Sequence, residues 1–218
     1  MEILITAGGT EEPIDGVRTI TNFSTGRTGA TLADIFYENG FKVTLLTSYR
    51  GVKPKSPVEI VEYKTFEDLD RNLEKILGKG NINGVIHLAA VSDYSVDYLL
   101  IDGVKILPQP NLKLDSNKGL SIVLKPNYKI IERVKKYSTR PITLVGFKLT
   151  KNATDKVIKS KVESLFKSGE VDFVVQNDLT SIDKNSHYSA IYTRDGVYKS
   201  CTNKQELAIS LVNIFREI

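Results

Sequence analysis

Short runs of apolar residues alternate along the chain with longer segments in which apolar residues recur at helical spacing. The runs predict strands at 3–6, 42–47, 58–63, 84–90, 120–124, 142–147 and 172–176, and the periodic segments predict helices at 28–39, 66–77, 128–137, 154–167 and 204–217. The turn Asp195-Gly196 indicates a C-terminal β-hairpin of 188–192 and 197–201. Apolar strands that alternate with amphipathic helices are typical of an α/β fold, in which helices cover both faces of a mostly parallel sheet.

Residues 93–119 interrupt this alternation. The segment has no clear period and contains Pro108, Pro110 and two glycines. A stretch of this length without regular structure inside a compact domain usually has a function. We therefore expect a single domain spanning 1–218 with a Rossmann-like sheet, from which 93–119 extends as a mobile flap or as an arm that reaches a neighbouring subunit.

Composition narrows the class of partner and the compartment. The net charge is +4 and the lysines are scattered, so no nucleic-acid partner is expected, whereas an anionic small molecule would suit the surplus. A single cysteine, Cys201, fits a reducing cytosol. No apolar run reaches the roughly 18–20 residues of a membrane span, and Met1 stands directly before the first strand, so neither a membrane partner nor a signal peptide is expected. These features together predict a cytoplasmic protein.

Two segments near the N-terminus have the composition of a phosphate site. Gly8 and Gly9 follow the first strand, and Ser24 and Gly26 precede the first helix. Glycine lets the backbone approach a ligand closely, and the first N–H groups of a helix bind anions. The long insert between the two segments differs from the dinucleotide fingerprint G-x-G-x-x-G, and the P-loop pattern is absent.

Polar residues inside the insert and after a later strand extend this site. Arg18 offers a planar guanidinium for phosphate or carboxylate, and Asn22 offers an amide donor for a carbonyl oxygen that gains charge during acyl transfer. The alternative is that the insert is a surface loop in which Asn22 caps the next helix. Asp93 follows a strand that ends in small residues, where it would hold Mg²⁺ or a ribose hydroxyl. His87, on that strand, is expected to be a core histidine.

Four lysines stand in irregular, strand-end or late helical positions: Lys113, Lys148, Lys161 and Lys167. Each alone is best interpreted as a solvated surface residue. A cluster that converges on a triphosphate would change that interpretation, and convergence depends on the fold.

Six stretches occur in the order found in one enzyme family: ITAGGTEEPIDGVRTITNFSTGRTG, HLAAVSDY, KLDS, LKPNYKII, LVGFKLT and DFVVQNDLT. Over essentially its whole length the chain thus resembles phosphopantothenoylcysteine synthetase, the phosphopantothenate–cysteine ligase of coenzyme A biosynthesis. The resemblance implies that the carboxylate of 4′-phosphopantothenate attacks a nucleoside triphosphate, giving an acyl-nucleotide and pyrophosphate. The amine of L-cysteine then displaces the nucleoside monophosphate and forms 4′-phosphopantothenoyl-L-cysteine.

The resemblance also implies the co-substrate and the assembly. Bacterial members use CTP, so an acyl-cytidylate intermediate is favoured over the ATP alternative, with Mg²⁺ accompanying the nucleotide. Family members are homodimers in which the flap contributes to a neighbour's site. Because Met1 stands directly before the first strand, the chain is similar to the stand-alone bacterial type, whose decarboxylase would be encoded elsewhere.

Residue roles follow from the matched motifs. Asn22 matches an asparagine associated with the acyl-nucleotide, Arg18 matches the arginine four positions earlier, and Lys113 matches the first lysine of a flap motif, so these three are the expected catalytic residues. Asp93 is also the expected metal ligand. The expected nucleotide-binding residues are Gly8, Gly9, Ser24, Gly26, Ala90, Asp93, Lys113, Phe147, Lys161 and Lys167.

The chain departs from the family pattern at three places. The lysine-rich motif shortens to KLDS, a Pro-Asp-Ile turn becomes Tyr128-Lys129-Ile130, and Ala-Ala-Glu-Thr after the phenylalanine becomes Lys148-Leu149-Thr150. Two other functions stay open. An NAD(P)-dependent oxidoreductase lacks support because the second strand ends in Thr-Ser-Tyr-Arg rather than an acid, although Arg50 would suit a 2′-phosphate. A non-catalytic nucleotide sensor would bind nucleotide without releasing pyrophosphate.

Overall fold

The computed structural model describes residues 1–109, 111–114, 119–182 and 187–218. Thirteen strands lie in this part of the chain: β1 (Glu2–Ala7), β2 (Glu11–Pro13), β3 (Thr19–Thr21), β4 (Lys42–Ser48), β5 (Glu59–Tyr63), β6 (Gly84–His87), β7 (Tyr94–Ile101), β8 (Val104–Ile106), β9 (Leu120–Pro126), β10 (Thr143–Thr150), β11 (Phe173–Ile182), β12 (His187–Thr193) and β13 (Gly196–Cys201). Its α-helices are α1 (Arg27–Glu38), α2 (Phe66–Leu77), α3 (Val134–Tyr137), α4 (Asp155–Ser168) and α5 (Lys204–Glu217).

The main sheet has eight strands in the order β13-β12-β11-β10-β6-β1-β4-β5. The six strands from β11 to β5 are parallel, and the C-terminal hairpin of β12 and β13 adds two antiparallel strands at one edge. This arrangement confirms the predicted α/β fold with its mostly parallel sheet. Because all parallel strands end at the same edge, the loops after β1, β6 and β10 lie side by side there, which is where ligands bind in such sheets.

Two hydrophobic layers fix the helices on opposite faces of the sheet. Helices α1 and α5 pack on one face, where Phe36 and Phe215 lie edge to face with ring centroids 5.8 Å apart. Helices α2 and α4 pack on the other face, which buries Leu73 and Phe166. The side chains of β1 alternate between the two layers, so this strand is buried on both sides. The central strand therefore positions the glycine loop that follows it.

Local signals explain why some predicted boundaries are met. Thr65 and Asp68 form a capping box that begins α2, and the helix ends before Gly78. By contrast, the helix predicted over 128–137 is wrong. The structure has a 3₁₀ turn, Ile130–Glu132, followed by the four residues of α3. The Asn127 N–H donates to the Asp93 carbonyl at 2.8 Å, and the backbone at Lys129 is extended, so a helix cannot begin earlier.

The prediction that 93–119 lacks regular structure is wrong over its first half. Strands β7 and β8 form a hairpin, and β9 pairs with β7, giving a second, antiparallel sheet of three strands. The hairpin turns at Asp102 and Gly103, whose φ values of 49° and 81° fit a turn that needs two left-handed residues. Pro110 and residues 115–118 of the predicted flap lie outside the described residues, as does part of the KLDS motif. The function of the segment as a flap or dimer arm stays a prediction.

Among the described residues, no helix is both long and apolar enough to cross a membrane.

Candidate active site

A cleft of about 310 Å³ opens between the loop after β1 and the start of α1. We call it the glycine-loop cleft; its lining includes Gly9, Asn22, Ser24, Thr25 and Arg27. The N-cap of α1 is Gly26, which has no side chain to cap the first turn, and the Thr25 hydroxyl makes only a long contact of 3.4 Å with the Arg27 N–H. Unpaired N–H groups and the positive end of the helix dipole attract an anion. The cleft therefore has the chemistry of a phosphate or carboxylate site.

Glycine is required in this cleft by close approach of backbone segments. A Cβ atom on Gly9 would lie 2.4 Å from the Asn22 carbonyl oxygen, and a Cβ on Gly26 would lie 3.4 Å from the nitrogen of Gly8. Gly8 and Gly26 also have φ values of 86° and 69°. The buried Tyr63 hydroxyl lies 2.8 Å from the Ala7 carbonyl oxygen and 3.0 Å from that of Gly8. The loop is therefore held by the Tyr63 hydroxyl and packed closely against the segments that contain Asn22 and Gly26.

A second cleft of about 440 Å³ lies beyond β6 and β10. We call it the lysine cleft, because Lys129, Lys148 and Lys161 line it together with Asp93 and Phe147. Helix α4 contributes one of its faces, at positions 161, 164, 165 and 168. Three lysines that come from a loop, a strand and a helix therefore converge on one cavity.

The electrostatics of the lysine cleft favour an anionic ligand. Lys129 forms an ion pair with Asp93. Burial, and then the ammonium groups of Lys161 and Lys129, hold the pKa of the Lys148 ammonium below its usual value. Desolvated like charges destabilise one another, and a polyanion that binds among them removes that repulsion. The cleft is accordingly suited to the phosphates of a nucleotide.

The two clefts meet at the ends of β1 and β6. Gly9, in the glycine-loop cleft, pairs with Ala90, which lies between the lysine-cleft residues Ala89 and Val91. The side-chain amide of Asn22 donates to the Val91 carbonyl oxygen at 3.2 Å. Asn22 therefore lies at the junction, where a group bound in one cleft reaches a group bound in the other. An amide carries two N–H groups, so this contact leaves a second donor for a substrate oxygen.

The structure brings together most of the residues predicted for the site. Gly8, Gly9, Asn22, Ser24 and Gly26 form or underlie the glycine-loop cleft, and Ala90, Asp93, Phe147 and Lys161 lie at the lysine cleft or its junction.

Arg18 and Lys113 lie elsewhere and line neither cleft. Arg18 is in the turn between β2 and β3, where its guanidinium is 2.5 Å from the Asp15 carboxylate. The Gly16 N–H donates to the Leu112 carbonyl oxygen at 3.2 Å, which places Lys113 beside the same turn. The expected catalytic roles of Arg18 and Lys113 are therefore not supported by proximity to either cleft within this chain.

Lys167 also lies outside the lysine cleft, because of helical geometry. Lys161 shares a face of α4 with Ser164 and Ser168, whereas position 167 lies about 240° around the helix from 161. Conversely, Lys129 lines the cleft although its sequence surroundings give no such signal. Its presence there depends on Asn127, whose N–H bonds to Asp93 and brings the loop to the end of β6.

His87 is buried, as expected, beneath the lysine cleft. Its Nδ1 lies 2.9 Å from the Thr6 hydroxyl, and burial lowers the pKa of the imidazole to about 4. The ring is therefore neutral near pH 7 and adds no charge to the cleft.

The metal expectation rests on Asp93 alone. Over the described ranges, no group of three or more His, Cys, Asp or Glu side chains is placed to hold a metal ion. The Asp93 carboxylate is engaged by Lys129. Asp93 alone does not form a metal centre in the protein. Mg²⁺ that arrives with a nucleotide needs no such centre, because phosphate oxygens and waters supply most of its ligands.

Comparison with known proteins agrees with this architecture. The family model of the DNA/pantothenate metabolism flavoprotein C-terminal domain matches residues 1–218. A coenzyme A biosynthesis bifunctional protein CoaBC from Thermococcus kodakarensis is 30% identical over 207 residues, which are 94% of this chain and 48% of that protein. The CoaBC protein of Methanocaldococcus jannaschii is 29% identical over 221 residues, 99% of this chain and 50% of the relative. The chain thus spans about half the length of the curated relatives it matches.

A solved structure is similar over its full length. The DNA/pantothenate metabolism flavoprotein from Streptococcus pneumoniae superposes with a TM-score of 0.87 at 30% identity, covering 100% of this chain and 99% of that chain.

Proposed function

The chain belongs to the family of the DNA/pantothenate metabolism flavoprotein C-terminal domain, and on that basis we propose that it is a phosphopantothenate–cysteine ligase. Its reaction would join 4′-phosphopantothenate and L-cysteine in coenzyme A biosynthesis. The names of the curated relatives, coenzyme A biosynthesis bifunctional proteins, support this assignment. The observation that carries it is the junction of an anion-binding cleft and a lysine-lined cleft at the Asn22 amide.

The first step that we propose is activation of the carboxylate. A carboxylate oxygen of 4′-phosphopantothenate attacks the α-phosphorus of CTP, the bond to the β-phosphate oxygen breaks, and pyrophosphate leaves. Negative charge increases on the leaving group, and the ammonium groups of Lys129, Lys148 and Lys161 would stabilise it. The reaction needs no nucleophile from the protein, because holding the two substrates in line supplies much of the rate enhancement.

The second step is transfer of the acyl group. The cysteine amine attacks the acyl carbon of the acyl-cytidylate, and the carbonyl oxygen gains charge in a tetrahedral intermediate. The second N–H of Asn22 would donate to this oxygen while the first stays on Val91. The nitrogen loses one proton to solvent water, and collapse of the intermediate breaks the bond to the phosphate oxygen and releases CMP.

CTP is favoured over ATP on the resemblance of the sequence, and Mg²⁺ is proposed only as the counter-ion of the nucleotide, so neither step depends on a metal site in the protein.

We also propose a homodimer. Leu120, Ile122 and Leu124 alternate along β9 of the small sheet, and each is exposed. Alternate residues share one face of a strand, so these three form an apolar surface suited to a second copy.

The experiment that tests the proposed function is pyrophosphate release. CTP and ATP are compared with Mg²⁺ and 4′-phosphopantothenate, with and without L-cysteine. Release that depends on 4′-phosphopantothenate is expected, together with CMP and the ligated product when cysteine is added. Asn22→Asp should slow product formation by about 100-fold, the usual cost of losing one oxyanion donor. The matched control is Asn213→Asp, an exposed position on α5, and it should behave as the unaltered protein.

Other outcomes would point to the alternatives. Nucleotide binding without pyrophosphate release in the presence of all substrates would support a sensor. Binding of NADPH, seen as a thermal shift, would support an oxidoreductase. Size-exclusion chromatography with light scattering tests the homodimer: a monomer at micromolar concentration would contradict it, and Ile122→Lys should dissociate a dimer built on β9.

A further inference from the structure

Glu12 is a buried carboxylate that lines neither cleft but contacts the segments that carry their walls. It is 4% exposed. Its Oε1 accepts from the backbone N–H of Phe66 at 2.9 Å, at the beginning of α2, and its Oε2 accepts from the Ser95 hydroxyl at 2.9 Å, at the beginning of β7. Burial raises the pKa of the Glu12 carboxyl, and these hydrogen bonds oppose that shift. A buried carboxylate is costly, and specific partners offset the cost.

Ser95 continues the network toward the lysine cleft. The Asn127 side-chain amide donates to the Ser95 hydroxyl oxygen at 2.9 Å and lies 3.2 Å from the Ser92 carbonyl oxygen. The Asn127 backbone N–H donates to the Asp93 carbonyl oxygen at 2.8 Å. Lys129, two residues later, is paired with Asp93. Two hydrogen-bonded residues, Ser95 and Asn127, thus connect Glu12 to Asp93, and Asn127 is two positions from Lys129, the other partner of the ion pair at the lysine cleft.

Glu12 is also tied to the segment that carries Asn22. In the β2–β3 hairpin Glu12 pairs with Ile20, and Asn22 follows that strand directly after Thr21. The Thr21 hydroxyl donates to the Thr10 carbonyl oxygen at 2.8 Å. The hairpin is not part of the main sheet, so the ladder of parallel strands does not position it. Contacts from outside the hairpin position it, among them the hydrogen bond from the Glu11 N–H to the Lys64 carbonyl oxygen at 2.7 Å and the two hydrogen bonds of the Glu12 carboxylate.

We infer that Glu12, Ser95 and Asn127 form a positioning network that fixes the Asn22 wall of the glycine-loop cleft relative to the Asp93 wall of the lysine cleft. The network touches no substrate. It acts through Asn22, Asp93 and Lys129 by holding the groups of the two clefts at the separation that the reaction needs. The expected change in turnover rests on the proposed function, whereas the expected change in the distance between the two walls rests on the structure alone.

The test is Ser95→Ala, which removes the hydroxyl between Glu12 and Asn127. Each cleft keeps its own lining, so KM for the nucleotide should change by less than about 3-fold, whereas kcat should fall by about 10- to 100-fold because the substrates are misaligned. Ser95→Thr keeps the hydroxyl and should restore kcat. Ser121→Ala, at an exposed position on β9 of the same small sheet, is the matched control and should leave kcat unchanged.

A second measurement does not depend on the reaction. Spin labels at Phe23→Cys and Glu132→Cys report the distance between the two cleft rims, and the natural Cys201 is buried. The distance distribution should broaden in Ser95→Ala and return in Ser95→Thr. If Ser95→Ala does not fold, Asn127→Ala interrupts the network at its next member and carries the same expectations.

The outcomes separate the two proposals. A distribution that stays unchanged in Ser95→Ala overturns the positioning role, whether or not kcat falls, and so does an unchanged kcat in an active enzyme. If the unaltered protein releases no pyrophosphate, the ligase function is refuted, and a broadened distribution in Ser95→Ala still supports the network. A broadened distribution together with the fall in kcat supports both.

Discussion

Replacing Gly9 with alanine should move Asn22 and thereby slow the reaction. The added Cβ would lie 2.4 Å from the Asn22 carbonyl oxygen, whereas ordinary van der Waals contact begins near 3.4 Å. The two backbone segments must therefore separate by about 1 Å. Over-packing of this kind costs about 1–3 kcal/mol of unfolding free energy. A misplacement of 1 Å in a reacting group costs about 100-fold in rate, so we expect kcat to fall by about that factor.

The assay is steady-state pyrophosphate release by Gly9→Ala, with the free energy of unfolding measured in urea. Gly40→Ala is the control, since Gly40 has a φ of 84° and no atom within 4 Å of its added Cβ. It should lose about 1 kcal/mol of stability through the left-handed backbone alone and keep its kcat. If Gly9→Ala turned over at the unaltered rate, the close contact between Gly9 and Asn22 would have no part in placing the amide, and the reasoning would be refuted.

Three further predictions concern charge, pH and packing. Lys148→Met should weaken CTP binding by about 10-fold in calorimetric titration, because one charge-assisted contact to phosphate is lost, while the exposed Lys159→Met on the same side of the sheet should not. Hydrogen bonds from Thr150 and Thr180 hold the pKa of Asp178 well below its usual range, so its contribution to stability is present at neutral pH and lost as the pH falls below about 4; Asp178→Asn should lower Tm at pH 7, with the difference narrowing toward pH 3. Phe215→Ala should cost about 3–5 kcal/mol in urea unfolding, because the ring is 1% exposed.

The elements that could be predicted from the sequence are those with strong local signals. Helix α2 has the predicted bounds because Thr65 caps it and Gly78 follows it. Helix α5 also has its predicted bounds, and Asn203 caps it by accepting from the Glu206 N–H at 2.9 Å. The β7–β8 hairpin escaped prediction although Asp102-Gly103 is the same dipeptide as Asp195-Gly196. Strand β8 has only three residues, and Ser95 and Asp97 interrupt the apolar residues of β7, so neither strand stands out as a continuous apolar run.

The site residues likewise separate into those with a local sequence signal and those without one. The glycine loop and Asn22 were predictable because a strand, small residues and a helix start are consecutive in the chain. Lys129 was not predictable, and Lys148 could be named only as a candidate, because the convergence of Lys129, Lys148 and Lys161 depends on three separate elements that meet only in the folded sheet. Lys161 and Lys167 differ by their phase on α4, which becomes decisive only when one face of the helix is known to border a cavity.

The central position of β1 in the sheet determines which backbone amides exchange most slowly with solvent. This strand pairs on one side with β4 and on the other with β6, and its side chains are buried on both faces. Backbone amides in such a position exchange with solvent only when the whole domain opens, whereas the three-stranded sheet of β7, β8 and β9 has its own, more exposed ladder. The floor of the glycine-loop cleft thus belongs to the slowest-exchanging part of the protein.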